Sequence, residues 1–200
     1  MKKETDKIID IEKLKVTNRG GKMDIFEQLE ELQKDLNEKT LDEIEVKYYQ
    51  LCLKLAGIKL SNEIKEVDLY AYTDELKIGL NKALDIAKSE SAKAIYFEYD
   101  LDNNWDSTFF ICEEYSPLED NEEDWACDWI EDLEGPSLER FSEIYSKNGF
   151  DGSNVAIGST IYLVTRTVVS YVKVFKELSS TSSIPVCIAF HDQDPILRVK

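Results

Sequence analysis

The feature that most restricts how this chain can fold is an acidic–aromatic segment, residues 94–139. It contains no lysine or arginine and holds sixteen Asp and Glu residues, which is nearly the whole net charge of −17. It also holds all three tryptophans, Trp105, Trp125 and Trp129, and six further Tyr and Phe residues. A purely solvated acidic tail is poor in aromatics, because it has no core to build. The segment is therefore expected to be folded and to present a charged surface.

Length and composition set the limits for the rest of the chain. With 200 residues, 42% of them hydrophobic, one domain with a sizeable core is expected. No run reaches the ~18 uninterrupted apolar residues of a membrane span. The first fifteen residues lack the apolar region of a signal peptide, which predicts a cytoplasmic protein. Nucleic acid and anionic membranes are not expected partners, since phosphate contacts need clustered Lys and Arg.

The N-terminal part divides into an arm and a helical pair. Residues 1–22, which end in a Gly-Gly breaker, are predicted to be a loosely ordered arm or linker, with a possible short strand at 8–11. Residues 23–200 then form a single α+β domain. Asp24 can cap a helix that begins at Ile25, and Thr40 with Glu43 is a capping box for a second helix, which Gly57 can close.

The middle of the chain predicts a helix followed by a hairpin. Residues 67–72 could be a short strand or a loop, and Thr73 is expected to cap the third helix. Alternation of apolar and polar residues predicts a hairpin over 94–114, with turn residues between its strands. Residues 115–135 are expected to form an exposed acidic excursion, in which Trp125 and Trp129 share one face of a short helical turn.

The C-terminal part predicts two helices and a closing hairpin. One helix begins at Ser137, and a longer one covers 161–175, where apolar residues keep helical spacing despite many β-branched side chains. Residues 184–199 predict a second hairpin. The fold class is therefore α+β: an N-terminal helical pair, and further helices packed on a small antiparallel sheet built from the hairpins 94–114 and 184–199.

Three patterns could carry chemistry, and each has a plainer interpretation. The acids between Asp100 and Asp106 suggest a calcium loop, but Trp105 and Ile111 stand where that loop needs Gly and Glu, so a solvated turn is predicted. His191, the only histidine, stands beside Asp192 without a recognisable nucleophile motif. The four cysteines are scattered and predict no metal site. No catalytic residue, metal or cofactor is assigned.

Two runs of sequence carry a resemblance to a known type of protein. The first is Ala94-Ile95-Tyr96-Phe97-Glu98-Tyr99-Asp100 with Trp105-Asp106. The second, typical of bacterial proteins built on the same plan, is Ala189-Phe190-His191-Asp192-Gln193-Asp194 with Ile196-Leu197-Arg198-Val199. With the acidic charge and the α+β pattern, the chain resembles the immunity proteins of bacterial toxin systems. The resemblance implies that it binds a cognate toxin domain, often a basic nuclease, and blocks the toxin's active site.

The leading hypothesis is a non-enzymatic, antitoxin-like inhibitor that binds a basic protein partner, for example a nuclease-type toxin domain. Acids would accelerate association and aromatics would slow dissociation. The residues assigned to partner binding are Trp105, Asp106, Glu113, Glu114, Asp124, Trp125, Asp128 and Trp129. The alternative is a hydrolase or metal-dependent enzyme, in which Glu98, Asp100, His191 and Asp192 converge where the two hairpins meet. The sequence leaves the oligomeric state open.

Overall fold

The structure, a computed structural model, describes residues 24–120, 122, 124–149, 152–178, 183–193 and 195–199. The arm predicted at 1–22 and the strand predicted at 8–11 lie outside the described residues. The helices of the described part are α1 (Ile25–Glu38), α2 (Leu41–Lys65), α3 (Tyr70–Ser89), α4 (Glu139–Asn148) and α5 (Asn154–Leu178). Its strands are β1 (Ala94–Tyr99), β2 (Ser107–Cys112), β3 (Trp129–Glu134), β4 (Val186–Phe190) and β5 (Leu197–Arg198).

The strands form one mixed sheet in the order β3-β2-β1-β4-β5. The α+β class is confirmed, and both predicted hairpins form, as the antiparallel pairs β1–β2 and β4–β5. The sheet differs from the predicted antiparallel one in two respects. β1 and β4 are parallel neighbours, and β3 extends the sheet beyond β2. Parallel neighbours need a long crossover, which the helical segment between β2 and β4 supplies.

Helix α5 forms the centre of the core. It packs chiefly against α2 and also against α3 and α4. Its Arg166 donates hydrogen bonds to the carbonyl oxygens of Ile64, in the last turn of α2, and of Val67, just after the helix. Within the described residues α5 is the one helix long and apolar enough to cross a membrane, and 89% of that apolar window is buried inside the protein. That burial is typical of a core helix.

The helical pair follows the predicted caps. The Asp24 side chain accepts a hydrogen bond from the Phe26 amide, and Thr40 and Glu43 form the complete capping box. Gly57 ends the first helical segment of α2, as predicted. Its φ of 82° and ψ of 165° are non-helical, so α2 consists of two helical segments joined by a kink at this glycine, and the second segment continues to Lys65.

Helix α3 begins earlier than predicted. Tyr70, Ala71 and Tyr72 are its first residues, so the segment left open at 67–72 is neither a strand nor wholly a loop. Thr73 is not the cap: its hydroxyl donates to the carbonyl oxygens of Leu69 and Tyr70 within the first turn. A threonine can bond backward inside a helix as readily as it can cap one, and here burial of Tyr72 draws the preceding residues into the helix.

Candidate functional site on the outer face and edge of the sheet

The two faces of the sheet have different coverings. The inner face packs on the helices through Phe97, Phe109 and Ile188, which belong to the main core. The outer face is partly covered by the chain between β2 and β3. A second, smaller cluster forms there from Ala94, Tyr96, Cys112, Trp125, Cys187, Ala189 and Ile196. The acidic–aromatic segment therefore supplies three strands of the sheet, one of which, β3, is an edge, and part of the covering of its outer face.

Trp105 belongs to the main core and not to a surface. Its side chain is fully buried, its Nε1 donates to Thr167 Oγ1 on α5 at 3.0 Å, and its ring stacks on Tyr99 at 5.5 Å between centroids. The turn between β1 and β2 places Asn104 and Trp105 at positive φ, which folds the indole back over the sheet end. The expectation that Trp105 contacts a partner is therefore corrected, because no part of its side chain reaches the surface.

Trp125 and Trp129 do not share a helical face. Trp125 lies in a short 3-10 turn, is only 4% exposed, and packs edge-on against Tyr96 and Tyr115. The guanidinium of Arg198 lies 5.1 Å from its ring centroid, a cation–π contact that the sequence did not indicate. Trp125 is thus a covering residue of the outer face, which corrects its assignment as a surface anchor.

Trp129 is the first residue of β3 and remains 45% exposed, with its ring 4.8 Å from that of Phe110 on β2. The predicted exposed excursion of 115–135 is therefore only partly right. Its last third is a strand, whose residues are mostly exposed because β3 is the edge of the sheet. The signal that could have indicated the strand was Leu133, an inward apolar residue between two acids and just before Gly135-Pro136.

Most acids of the segment are exposed, and among the described residues only Glu98 lies in an ion pair, with His191. Thirteen of its fifteen described acids are exposed, including Asp106, Glu113, Glu114, Asp124 and Asp128. Within the described part of the chain, no Lys or Arg nitrogen lies within 4.0 Å of a carboxylate of this segment. Arg198, whose guanidinium lies over the Trp125 ring, donates hydrogen bonds to the backbone carbonyls of Ile196 and Ser116.

Acids elsewhere in the protein are arranged differently. Asp35 is held by both Lys39 and Lys47, although it is almost fully buried. Arg140, which directly follows the segment, bonds to Glu63 and Glu143, and Lys77 to Glu177. Six acids of the described helices thus lie within 4.0 Å of a Lys or Arg nitrogen, namely Glu31, Asp35, Glu45, Glu63, Glu143 and Glu177. The exposed acids described on the outer face and the β3 edge have no such contact, so a negative potential is expected there.

A polar recess of about 210 Å³ lies at one end of the outer face. Glu98 lies in its wall and joins two elements: its Oε1 lies 3.1 Å from His191 Nδ1, and its Oε2 accepts from the Tyr96 hydroxyl at 2.8 Å. This hydrogen bond and the carboxylate charge raise the pKa of His191 above 6.5. Burial, with the charge of Glu98, raises the pKa of Tyr96, so its hydroxyl stays protonated and remains a donor.

The acids expected near His191 converge only in part. Asp192 Oδ2 lies 3.8 Å from His191 Nε2, while Asp100 lines the recess but accepts a hydrogen bond from the Asp102 amide in its own turn. The chain between Asp100 and Asp106 closes as a hairpin turn through the bond from the Asp100 amide to the Asp106 carbonyl. Among the described residues no group of three or more His, Cys, Asp or Glu is placed to hold a metal ion.

Comparisons with protein-family models, with curated proteins and with solved structures each gave no match to this chain. The outer face and the β3 edge, by their geometry and charge, are therefore the features that indicate a function.

Proposed function

We propose that this chain is a non-enzymatic binding protein of the immunity or antitoxin type. It engages a basic protein partner, such as a nuclease-type toxin domain, through the acidic outer face and edge of its sheet, and it acts in the cytoplasm. The observation that carries the proposal is the exposure of thirteen of the segment's fifteen described acids, none of which lies within 4.0 Å of a described Lys or Arg nitrogen. Like charges held together in this way destabilise the isolated protein, and a cationic partner relieves that repulsion.

The contact surface proposed here is narrower than the one predicted from the sequence. It keeps the exposed residues Asp106, Glu113, Glu114, Asp124, Asp128 and Trp129, and it adds the acids of β3. Trp125 packs beneath this surface, whereas Trp105 lies in the main core. The acids should steer a basic partner into place, which raises the association rate and makes it fall with ionic strength. Trp129 and its neighbour Ile130, 39% exposed, supply apolar contacts that slow dissociation.

The proposal can be tested by charge reversal at matched positions. One variant carries Glu113→Lys, Glu114→Lys, Asp124→Lys and Asp128→Lys. Its control carries Glu27→Lys, Glu30→Lys, Glu38→Lys and Asp42→Lys on the exposed side of the helical pair, so both variants change the net charge equally. Candidate partners come from two sources: proteins captured from native lysate at low and at high ionic strength, and the product of an adjacent reading frame. The rate at which each candidate associates with the wild type and with the two variants is then measured.

The first variant should lose the partner, or associate with it at least about tenfold more slowly at low ionic strength, because steering by charge can change association rates by 10–10³. The control variant should keep most of the wild-type rate. Equal rates for both variants would show that only net charge matters, and an unchanged rate in the first variant would contradict the proposal. Unfolding midpoints of all three proteins separate loss of binding from loss of fold.

A second candidate function is an enzyme, a hydrolase or a metal-dependent one, that uses the carboxylates near His191. The contact between Glu98 and His191 favours it, because a carboxylate that orients an imidazole is a common arrangement for a general base. A hydrolytic activity lost in both Glu98→Gln and His191→Ala, with the fold retained, would favour this candidate over a binding protein. Activity that survives both substitutions would not come from this recess.

A further inference from the structure

The β3 edge of the sheet is open for hydrogen bonding. The amide of Gly135 donates to the Ser107 carbonyl at 2.7 Å, so the main chain of Gly135 faces β2. Along a β-strand, the main-chain N–H and C=O groups of successive residues point alternately to the two neighbouring sides. The main-chain groups of Leu133 and Glu131 therefore also point towards β2, and those of Asp132 and Glu134 point away from the sheet. No described strand pairs on that side of β3. The edge therefore offers unpaired main-chain donors and acceptors at Asp132 and Glu134.

The other edge of the sheet differs from β3. β5 has two residues, and both are buried. β3 has six, five of them exposed, and begins with Trp129 and Ile130. Ile130 is the extra residue at the register shift opposite Ile111 and Cys112, so the regular part of the free edge is 131–134. Three of these four residues are acids, Glu131, Asp132 and Glu134.

The charge of the edge indicates which occupant fits it. A strand that pairs with β3 places its own side chains directly beside the three acids, and only cationic side chains are stabilised in those positions. A second copy of this chain would oppose three acids with three more, which disfavours edge-to-edge pairing of β3 with itself. Charge complementarity thus selects a basic extended segment, and Trp129 and Ile130 provide apolar contact at one end of it.

From this geometry we infer that the basic partner docks by strand addition: an extended, Lys- or Arg-rich segment of the partner pairs with the free edge of β3 and lengthens the sheet to six strands. The inference rests on the proposed function and specifies how its surface is used. Main-chain bonds to Asp132 and Glu134 fix the register of the added strand, while the acids select a basic sequence.

The test uses the intact protein and a synthetic peptide of alternating lysine and valine as the probe. Binding is followed by nuclear magnetic resonance, with hydrogen exchange measured at each β3 amide. Two variants separate main chain from charge: Asp132→Pro removes both the outward N–H and the carboxylate, and Asp132→Asn removes the carboxylate alone. Proline is tolerated on an edge strand where its N–H would face solvent, so the fold is expected to persist. The same spectra check that it does.

On binding, exchange at the amides of Asp132 and Glu134 should slow, and Asp132→Pro should bind the peptide about tenfold more weakly than Asp132→Asn. A second peptide, N-methylated throughout its backbone, keeps the charge but cannot pair and should bind more weakly than the first to wild-type protein by a similar factor. This comparison does not depend on the folding of a variant.

Three outcomes would overturn the inference, and they separate it from the proposed function. Equal binding of both peptides, with the two amides unprotected, would mean that charge alone attracts the peptide, so strand addition fails and the acidic binding surface stands. Absence of peptide binding at low ionic strength would count against both. If the two amides are protected from exchange without peptide, and sedimentation shows a dimer, then a second copy of this chain occupies the β3 edge.

Discussion

At the scale of single residues, the three tryptophans of one segment have three different surroundings. Trp105 is fully buried and hydrogen-bonded to Thr167, Trp125 is buried under the outer covering, and Trp129 is nearly half exposed. Removing a buried Trp typically costs about 3–5 kcal/mol, because the core cannot collapse around the cavity. Trp105 therefore contributes chiefly to the free energy of unfolding, and Trp129 is the tryptophan available to a partner. Sequence spacing does not distinguish them, since all three lie among acids.

The pKa of His191 provides a prediction at the same scale. Glu98 accepts a hydrogen bond from the protonated ring, so the pKa should lie above 6.5 in the folded protein, with smaller contributions from Asp192 and Asp100. His191 is the only histidine, so a nuclear magnetic resonance titration reads it directly. Glu98→Gln should lower the pKa towards 6.5, and Asp192→Asn should lower it less. A pKa unchanged by Glu98→Gln would show that the contact does not form in solution.

The sign of the linked effect on stability follows from that shift. A histidine whose pKa is raised on folding stabilises the protein fully below its unfolded value of about 6.5, and that contribution disappears as the pH rises through the folded value. His191 is 60% exposed, so solvent screens the interaction and the contribution should be small. The free energy of unfolding of Glu98→Gln should therefore lie below that of wild type at pH values below about 6.5. It should approach the wild-type value once the pH exceeds the pKa of His191 in the folded protein.

At the scale of elements, the helices and strands with a clear periodic pattern of apolar residues were predicted from the sequence, and those without one were missed. The capping box of α2, the apolar stripe of α5 and the alternation in β1 are local patterns, and each predicted the right kind of element, although α5 begins earlier, at Asn154, and both faces of β1 are largely buried. β3 was missed because an edge strand has one neighbour, so burial imposes alternation weakly, and Leu133 alone marks its inner side. The parallel pairing of β1 with β4 joins residues about ninety positions apart, and no local pattern encodes it. The candidate site depended on both missed features.

The packing of α3 on the sheet gives a prediction at this scale. Gly79 lies inside α3, and a Cβ added there would lie 2.5 Å from Cε2 of Phe109 on β2. Gly to Ala within a helix normally adds about 1 kcal/mol of stability. Here Gly79→Ala should instead destabilise the protein by about 1–3 kcal/mol, because the Phe109 ring, 4.7 Å from that of Phe97, has little room to move. Equilibrium denaturant unfolding measures the change.

Two control experiments test whether the effect of Gly79→Ala comes from the contact with Phe109. Ile78→Ala changes the neighbouring exposed position of α3 and should alter the free energy of unfolding by about 0.5 kcal/mol or less. In a Phe109→Leu background, Gly79→Ala should cost less than it does in wild type, because the smaller side chain leaves space for the methyl group. Additive effects of the two substitutions would mean that the glycine is needed for another reason than this contact.

At the scale of the whole molecule, charge is unevenly distributed, and this predicts how salt affects stability. Six acids of the described helices pair with Lys or Arg, whereas the three acids of β3 are exposed to solvent without a described Lys or Arg partner. Raising the salt concentration from about 0.01 to 1 M shortens the screening length from about 30 to 3 Å. Repulsion among the unpaired acids should weaken over that range, and the unfolding midpoint should rise by about 2–4 °C for each kcal/mol relieved.

Neutralising the acids of β3, and neutralising the acids that form ion pairs in the helical part, should change this salt dependence in opposite directions. A variant with Glu131→Gln, Asp132→Asn and Glu134→Gln removes part of the repulsion, so its midpoint should start higher at low salt and rise less. A variant with Glu63→Gln, Glu143→Gln and Glu177→Gln removes attractive pairs that salt would have weakened, so its midpoint should start lower and rise more steeply. Thermal unfolding by circular dichroism measures all three slopes. Equal slopes would attribute the rise to a general effect of salt on apolar burial, and the unpaired acids would then store no repulsion that a basic partner could relieve.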